Sequence, residues 1–138
     1  MEESLNGETE TSEKIVQQCV EKLNQSKTEW IDIFYSKDAE WIEHPTTAYP
    51  NGRRGNVEEL RKAAETALFF FPDRQMRIVN QITEGKQSSV ELDWWGTTAR
   101  KMGNVEAGTV VRLQIASFFV VENGRIVKHT DYVVPNRQ

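Results

Sequence analysis

The segment Gly124–Val133, which reads GRIVKHTDYV, decides the fold prediction for this sequence. Its β-branched and aromatic residues predict a strand, and the side chains of a strand alternate between its two faces. The face with valines at both ends is predicted to be buried, and it consists of Val127, His129, Asp131 and Val133. The prediction therefore places two ionisable side chains, His129 and Asp131, inside the protein. Buried ionisable groups need a partner or shift their pKa, and both outcomes are common at functional sites.

Working outward from this strand, three earlier segments have the same β-rich composition and are predicted to be strands as well. They cover residues 74–84, 88–98 and 109–121, and the last strand covers 125–134. Turn residues separate them, because 84–86 contains a glycine and Asn123–Gly124 suits the positive φ angles of a type I′ hairpin turn. The second half of the chain is therefore predicted to form four antiparallel strands.

The first half of the chain is predicted to be mostly helical. The N-cap candidates Ser12, Ser26 and Asn56 each precede apolar residues at helical spacing. A short strand is predicted over 39–44, and Pro72 ends the third helix because proline cannot continue the hydrogen-bond ladder. Helices that precede a sheet in this way indicate the α+β class, with the sheet curled over the helices.

Length and charge limit what kind of protein this is. The 138 residues fit one domain, predicted over 13–135. The net charge of −4 comes from five glutamates in residues 1–13, and the remainder holds 17 basic and 16 acidic residues. We expect residues 1–12 to be a disordered acidic leader, and we expect no binding to nucleic acid because the remaining chain is almost neutral.

Other function classes are excluded by what the sequence lacks. No apolar run approaches the roughly 20 residues that a membrane-spanning helix needs, and no secretory signal is present, so we expect a cytoplasmic protein. The single cysteine, Cys19, excludes a disulfide framework. Two histidines leave little scope for a metal site, and no metal is expected.

Several motifs resemble a known family. Gly124–Val133 resembles the closing strand of the SnoaL-like polyketide cyclases and of the related limonene-epoxide hydrolases. Other motifs in the order and rough spacing of that family are Phe71–Asp73, Trp95–Thr97, His44–Pro45 and Gly52–Gly55. The resemblance covers about residues 13–134. It implies a cone-shaped α+β barrel of the nuclear-transport-factor-2-like superfamily, in which three N-terminal helices pack in a curved, mostly antiparallel sheet around one deep pocket.

The resemblance implies three catalytic candidates. Asp131 matches the family's acid/base aspartate, and Asp93 matches the second aspartate of the epoxide hydrolases. His44 lies where those hydrolases keep an asparagine that holds water. Each has a structural alternative: Asp131 as a strand-end aspartate bonded to main chain, Asp93 as a solvated edge residue, and His44 as a cap of the loop that starts at Pro45.

The resemblance also implies which face of the sheet lines the pocket. Periodicity alone buries Val90, Leu92 and Trp94, but in the relatives the face equivalent to Glu91, Asp93 and Trp95 points into the pocket. We follow the resemblance, which places Trp94, Phe118 and Tyr132 on an outer face that packs on a second subunit. The expected pocket residues are Ile42, Phe70, Glu91, Trp95, Leu113, Ile115, His129 and Val133, although His129 is equally explained as a packed imidazole.

Two departures from the family bear on the reaction. Glu91 replaces the arginine that bridges the two aspartates of the hydrolases, and Thr98 replaces a histidine that many SnoaL-like chains have. We expect cofactor-independent acid/base chemistry (isomerisation, cyclisation or hydration) on a small apolar, ring-containing or polyketide-like molecule, by a homodimer. The alternative is a non-catalytic small-molecule-binding or accessory protein, which the two departures favour.

Overall fold

The order of helices and strands follows the prediction, except that a short unpredicted strand over Arg53–Gly55 precedes the third helix. The structure, a computed structural model, describes residues 2–135, and the side chains of residues 6–135. The helices are α1 (Glu2–Gln25), α2 (Glu29–Phe34) and α3 (Val57–Phe70). The strands are β1 (Tyr35–Glu43), β2 (Arg53–Gly55), β3 (Gln75–Glu84), β4 (Gln87–Thr97), β5 (Val110–Glu122) and β6 (Arg125–Pro135).

The strands form one mixed sheet in the order β2-β1-β6-β5-β4-β3. The pairing of β1 with β6 is parallel, and the other pairings are antiparallel. The α+β class and the mostly antiparallel sheet are therefore confirmed. The sheet is open and not a closed barrel, because within residues 2–135 the edge strands β2 and β3 do not pair with each other.

The helix α1 begins earlier than the sequence suggested. It starts at Glu2, ten residues before the predicted N-cap Ser12, so residues 2–12 differ from the expected disordered leader. Two hydrogen bonds to the main chain of Gly85 hold the start of this helix in place. The Gly85 N–H donates to Thr9 Oγ1 (2.8 Å), and Ser12 Oγ donates to the Gly85 carbonyl (2.7 Å). These contacts with the turn between β3 and β4 are tertiary, and composition alone could not reveal them. Met1 of the expected leader lies outside the described residues.

The predicted helix caps have two outcomes. Asn56 caps α3 as expected, with its side chain accepting from the N–H groups of Glu58 and Glu59. Ser26 does not cap α2: its hydroxyl instead donates to the carbonyl of Lys22 (2.6 Å), and the helix starts after Thr28.

The core lies between the helices and one side of the sheet, which we call the inner face. The inner face of β4 carries Val90, Leu92 and Trp94, which are 3%, 4% and 7% exposed. Trp94 packs edge-on against Phe71 at 5.0 Å between ring centroids. The expectation that Glu91, Asp93 and Trp95 face inward is therefore wrong, and so is the outward position of Trp94. The alternation of apolar residues alone gave the correct face. The choice of the opposite face misplaced every side chain of the strand, because a shift of one residue reverses them all.

No helix within residues 2–135 is both long and apolar enough to span a membrane. The same residues contain no cluster of three histidine, cysteine or acidic side chains arranged to hold a metal ion.

Candidate active site

Asp131 lies on the inner face of β6 and is held by its neighbours on both sides. Trp41 of β1 donates its indole N–H to Oδ2 (3.1 Å), and Ser117 of β5 donates its hydroxyl to Oδ1 (2.6 Å). His129 Nε2 also lies 2.6 Å from Oδ1. The side chain of Asp131 is 14% exposed, so it is enclosed without being sealed. The carboxylate is thus fixed by groups from three adjacent strands.

His129 continues this network into the core. Its Nδ1 lies 2.7 Å from the hydroxyl of Tyr35, and its ring packs on Phe119 at 4.4 Å between centroids. Burial, followed by the nearby Cys19 and Asp131, raises the pKa of Tyr35 well above its ordinary value, so the hydroxyl keeps its proton. Both ring nitrogens of His129 therefore have a partner, Nδ1 in the hydroxyl of Tyr35 and Nε2 in the carboxylate of Asp131. Tyr35, His129 and Asp131 therefore form one buried chain of hydrogen bonds.

The surroundings of Asp131 keep it ionised. Burial alone would raise its pKa, but the charge of His129 and the hydrogen bonds from His129, Ser117 and Trp41 outweigh burial and lower the pKa. Within the described residues, Oδ1 accepts two hydrogen bonds and Oδ2 accepts one. Each carboxylate oxygen can accept two hydrogen bonds, so Oδ2 retains a free position.

A second buried carboxylate, Glu43, lies beside Asp131. The two residues are register partners in the parallel pairing of β1 with β6, and Glu43 is 8% exposed. Arg53 binds both carboxylate oxygens, through Nε to Oε1 (2.9 Å) and through Nη2 to Oε2 (3.1 Å). Burial raises the pKa of Glu43, against the opposing effect of Arg53. The site thus contains two carboxylates whose pKa values move in opposite directions.

Aromatic rings and a glycine position Arg53. Its guanidinium carbon lies 3.7 Å from the ring centroid of Tyr49 and 5.1 Å from that of Trp41. Gly52, directly before it, has a φ of +71°, and a Cβ there would lie 2.6 Å from the carbonyl oxygen of Glu43. Only glycine fits this close approach without strain, so Gly52 brings β2 against β1.

A cleft of about 310 Å³ opens above these residues, between the β1–β2 pair and α3. Its lining includes Trp41, Tyr49, Arg53, Arg54, Lys62 and Thr66. Trp41 connects this cleft to Asp131, because Trp41 lines the cleft and also donates its N–H to the carboxylate, while Asp131 itself is not among the lining residues.

The structure brings only part of the predicted site together. Alternation and pairing place Leu113, Ile115, His129 and Val133 on the inner face with Asp131. Phe70 of α3 is half-buried and packs against the same core. Ile42, Glu91 and Trp95 lie on the outer face. None of the eight expected pocket residues is among the residues that line the cleft.

Two of the three catalytic candidates also lie on the outer face. Asp93 forms an ion pair with Arg77 at 2.9 Å. The ring of His44 stacks on Tyr132, with centroids 4.0 Å apart and planes 9° from parallel. Neither side chain converges with Asp131.

Sequence reasoning did not identify Tyr35, Ser117, Glu43 and Arg53 as site residues. Two signals were available. The first is that Ser117 is a polar residue on the same strand face as Ile115. The second is that Glu43 shares the face of Trp41, whereas His44, the residue chosen as a candidate, is one position further along and on the opposite face.

Comparison with known proteins agrees with this fold. The family model described as a SnoaL-like domain matches residues 16–129. No curated protein matches the chain significantly. The matched residues include β1 and β6 as far as His129, so they cover most of the candidate site.

Solved structures of low sequence identity have the same fold. AclR of Streptomyces galilaeus, a proposed hydroxylase, is 16% identical with a TM-score of 0.79, over 93% of this chain and 81% of that one. IdmH of Streptomyces antibioticus, a proposed polyketide cyclase, is 19% identical with a TM-score of 0.77, over 88% and 91%. A phenazine biosynthesis-related protein of Pseudomonas aeruginosa is 14% identical with a TM-score of 0.75, over 92% and 77%. With its nuclear-transport-factor-2-like cone and the match to most of its length, this chain belongs to the SnoaL-like domain family.

Proposed function

We propose that this protein binds a small, largely apolar, ring-containing molecule in the cleft over Trp41 and catalyses a cofactor-independent proton transfer on it. Asp131 is the acid/base residue of this proposal. The observation that supports it is the arrangement of Asp131, which three side-chain donors fix while Oδ2 keeps a free position. Two structural neighbours are named as proposed polyketide cyclases, and a ring-containing ligand in this protein would be consistent with such a relationship.

The proposed chemistry is a proton moved from carbon or from water. Asp131 Oδ2 accepts a proton from a carbon next to a carbonyl, or from a water, and later returns it. The hydrogen bonds from His129, Ser117 and Trp41 keep the carboxylate oriented during both steps. A positioned general base of this kind contributes about 10²- to 10⁴-fold in rate. Isomerisation, cyclisation and hydration all use such a step.

An exchange experiment tests the proposal without knowledge of the natural substrate. 2-Tetralone is a ring-containing ketone with acidic protons next to its carbonyl, and NMR in deuterated water follows their exchange. We expect the protein to accelerate this exchange and Asp131→Asn to lose about 10²-fold or more of the acceleration. Asp93→Asn is the matched control, because Asp93 lies on the outer face in an exposed ion pair and its substitution should change nothing.

A non-catalytic binding protein is the second candidate. The lowered pKa of Asp131 favours it, because burial is outweighed by His129, Ser117 and Trp41 and the carboxylate is therefore a weak base. The substitution at Thr98 favours it too: this residue is 2% exposed and donates to the carbonyl of Glu106, a structural role. Binding of 2-tetralone, seen as a change in tryptophan fluorescence, without any accelerated exchange would support this candidate over the enzyme.

We also propose that the protein is a homodimer through the outer face of the sheet and that it is located in the cytoplasm. Phe118 and Tyr132 on the outer face are 47% and 44% exposed, and with Ala116 and Thr130 they line an open hollow of about 520 Å³. A second copy of the chain covers this apolar surface, as the family resemblance implies. Cys19 is a free, buried thiol, which suits a reducing compartment.

A further inference from the structure

Arg53 has hydrogen-bonding capacity that its partner Glu43 does not use. The bonds to Glu43 occupy Nε and one hydrogen of Nη2, which form one edge of the planar guanidinium. The other edge, made by Nη1 and the second hydrogen of Nη2, forms no hydrogen bond within the described residues. Such an edge presents two parallel N–H groups at the spacing of the two oxygens of a carboxylate.

The unused edge is accessible from the cleft. Arg53 lines the cleft and its side chain is 27% exposed, while its bonded partner Glu43 is 9% exposed by side chain and lies behind it. The guanidinium therefore has one edge committed to the protein interior and one edge available to a ligand.

The orientation of this edge is fixed before a ligand arrives. Glu43 prevents rotation of the guanidinium in its plane, and the rings of Tyr49 and Trp41 restrict it from its faces. A preorganised donor loses less conformational entropy on binding than a free arginine would.

The other cations at the cleft are paired and exposed. Arg54 lies 3.7 Å from Glu40, and Lys62 lies 3.5 Å from Glu59. The cleft thus combines aromatic walls with cations that already have carboxylate partners, and what it offers a flat molecule bearing a negative group is the unused edge of Arg53.

We infer that Arg53 is the residue that determines ligand specificity, by binding the carboxylate of a planar aromatic or polyketide-like acid in the cleft over Trp41. The inference rests on the proposed function for the location of the ligand site, but it concerns binding and not turnover. It narrows the substrate class to molecules that carry an acidic group beside the ring system.

Calorimetric titration of the full chain with 2-naphthoate and its neutral counterpart 2-naphthamide tests this inference. We expect the acid to bind roughly tenfold or more tightly than the amide, because only the acid accepts a charge-assisted bidentate pair. In Arg53→Gln the preference should disappear. Arg77→Gln is the matched control, since Arg77 also bonds a carboxylate but on the outer face, and it should keep the full preference.

A milder variant covers the case in which Arg53→Gln fails to fold, as judged by circular dichroism. Arg53→Lys keeps the charge but loses the parallel pair of N–H groups, so it should retain less of the preference than the wild type. Equal binding of acid and amide by the wild type, or of neither at millimolar concentration, overturns the inference. So does an undiminished preference in Arg53→Lys.

The outcome is separable from that of the catalytic proposal. A wild type that accelerates the exchange of 2-tetralone but binds 2-naphthoate no better than 2-naphthamide contradicts this inference alone. A wild type that prefers 2-naphthoate but does not accelerate the exchange contradicts the catalytic role of Asp131 alone.

Discussion

The Nε2 atom of His129 lies 2.6 Å from Oδ1 of Asp131, and the two side chains leave the same face of one strand two residues apart. The pair is enclosed, with 10% and 14% of the side chains exposed. A carboxylate in this position stabilises the protein most while it is ionised, because the hydrogen bonds from its three donors are stronger to a charged acceptor than to a protonated one.

Replacement of Asp131 by asparagine should change how stability depends on pH. Folding lowers the pKa of Asp131 below its ordinary value of 3.8, so the unfolded chain binds more protons between the two values. The stabilisation is therefore complete above 3.8 and is lost as the pH falls through the folded pKa. Urea unfolding should show Asp131→Asn less stable by about 1–3 kcal/mol at neutral pH, with a flatter acid limb. An unchanged acid limb would contradict the ionised pair.

Removal of the Tyr35 hydroxyl should weaken the buried chain of hydrogen bonds. Tyr35→Phe leaves Nδ1 of His129 without its hydrogen-bond partner, and such an unsatisfied buried group costs about 1–3 kcal/mol. The ring still packs edge-on against Trp30 at 5.8 Å, so the fold should persist. Tyr132→Phe is the control, since the Tyr132 hydroxyl forms no hydrogen bond within the described residues. Equal urea midpoints for the two variants would rule out a stabilising role for the Tyr35 hydroxyl.

Gly52 should tolerate alanine much less well than Gly103 does. Both residues have positive φ, of 71° and 58°, so each substitution incurs the same kind of backbone strain of about 1–2 kcal/mol. Only at Gly52 does the new Cβ meet an atom, the Glu43 carbonyl oxygen at 2.6 Å, whereas nothing lies within 4 Å at Gly103. Thermal unfolding should therefore show a further loss on the order of 1–3 kcal/mol for Gly52→Ala. Matching losses in the two variants would mean that the approach of β2 to β1 is not tight.

A charge on the outer face should dissociate the proposed homodimer. Phe118 is 47% exposed at the centre of this apolar surface, and burial of a glutamate against a second copy costs several kcal/mol. Light scattering after size exclusion should give the mass of two chains for the wild type and of one chain for Phe118→Glu. Ile33→Glu, at an equally exposed apolar residue of α2, should leave the mass unchanged. A monomeric wild type would disprove the dimer.

The sequence predicted the class and order of the elements because their determinants are local. Alternating valines placed Asp131 inward, and Asn56 marked the start of α3. The error at β4 came from placing the resemblance above the local pattern, because the alternation of Val90, Leu92 and Trp94 by itself indicates the buried face. The choice of His44 over Glu43 has a different origin, because only the pairing of Glu43 with Asp131 identifies the inner side there.

The parallel pairing of β1 with β6 has a consequence for how the site forms. The hydrogen bonds from Trp41 to Asp131 and from Tyr35 to His129 join residues 90 and 94 positions apart. Closing so long a loop is slow, because its cost in chain entropy is not compensated by contacts until both strands are present. During synthesis Tyr35 and Trp41 therefore emerge long before their partners on β6, whereas Glu43 meets Arg53 after only ten residues. The walls of the cleft come from residues 41–66, but the carboxylate of Asp131 joins them only when β6 has left the ribosome. A chain that lacks its last strand should therefore keep the components of the cleft and lose the network around Asp131.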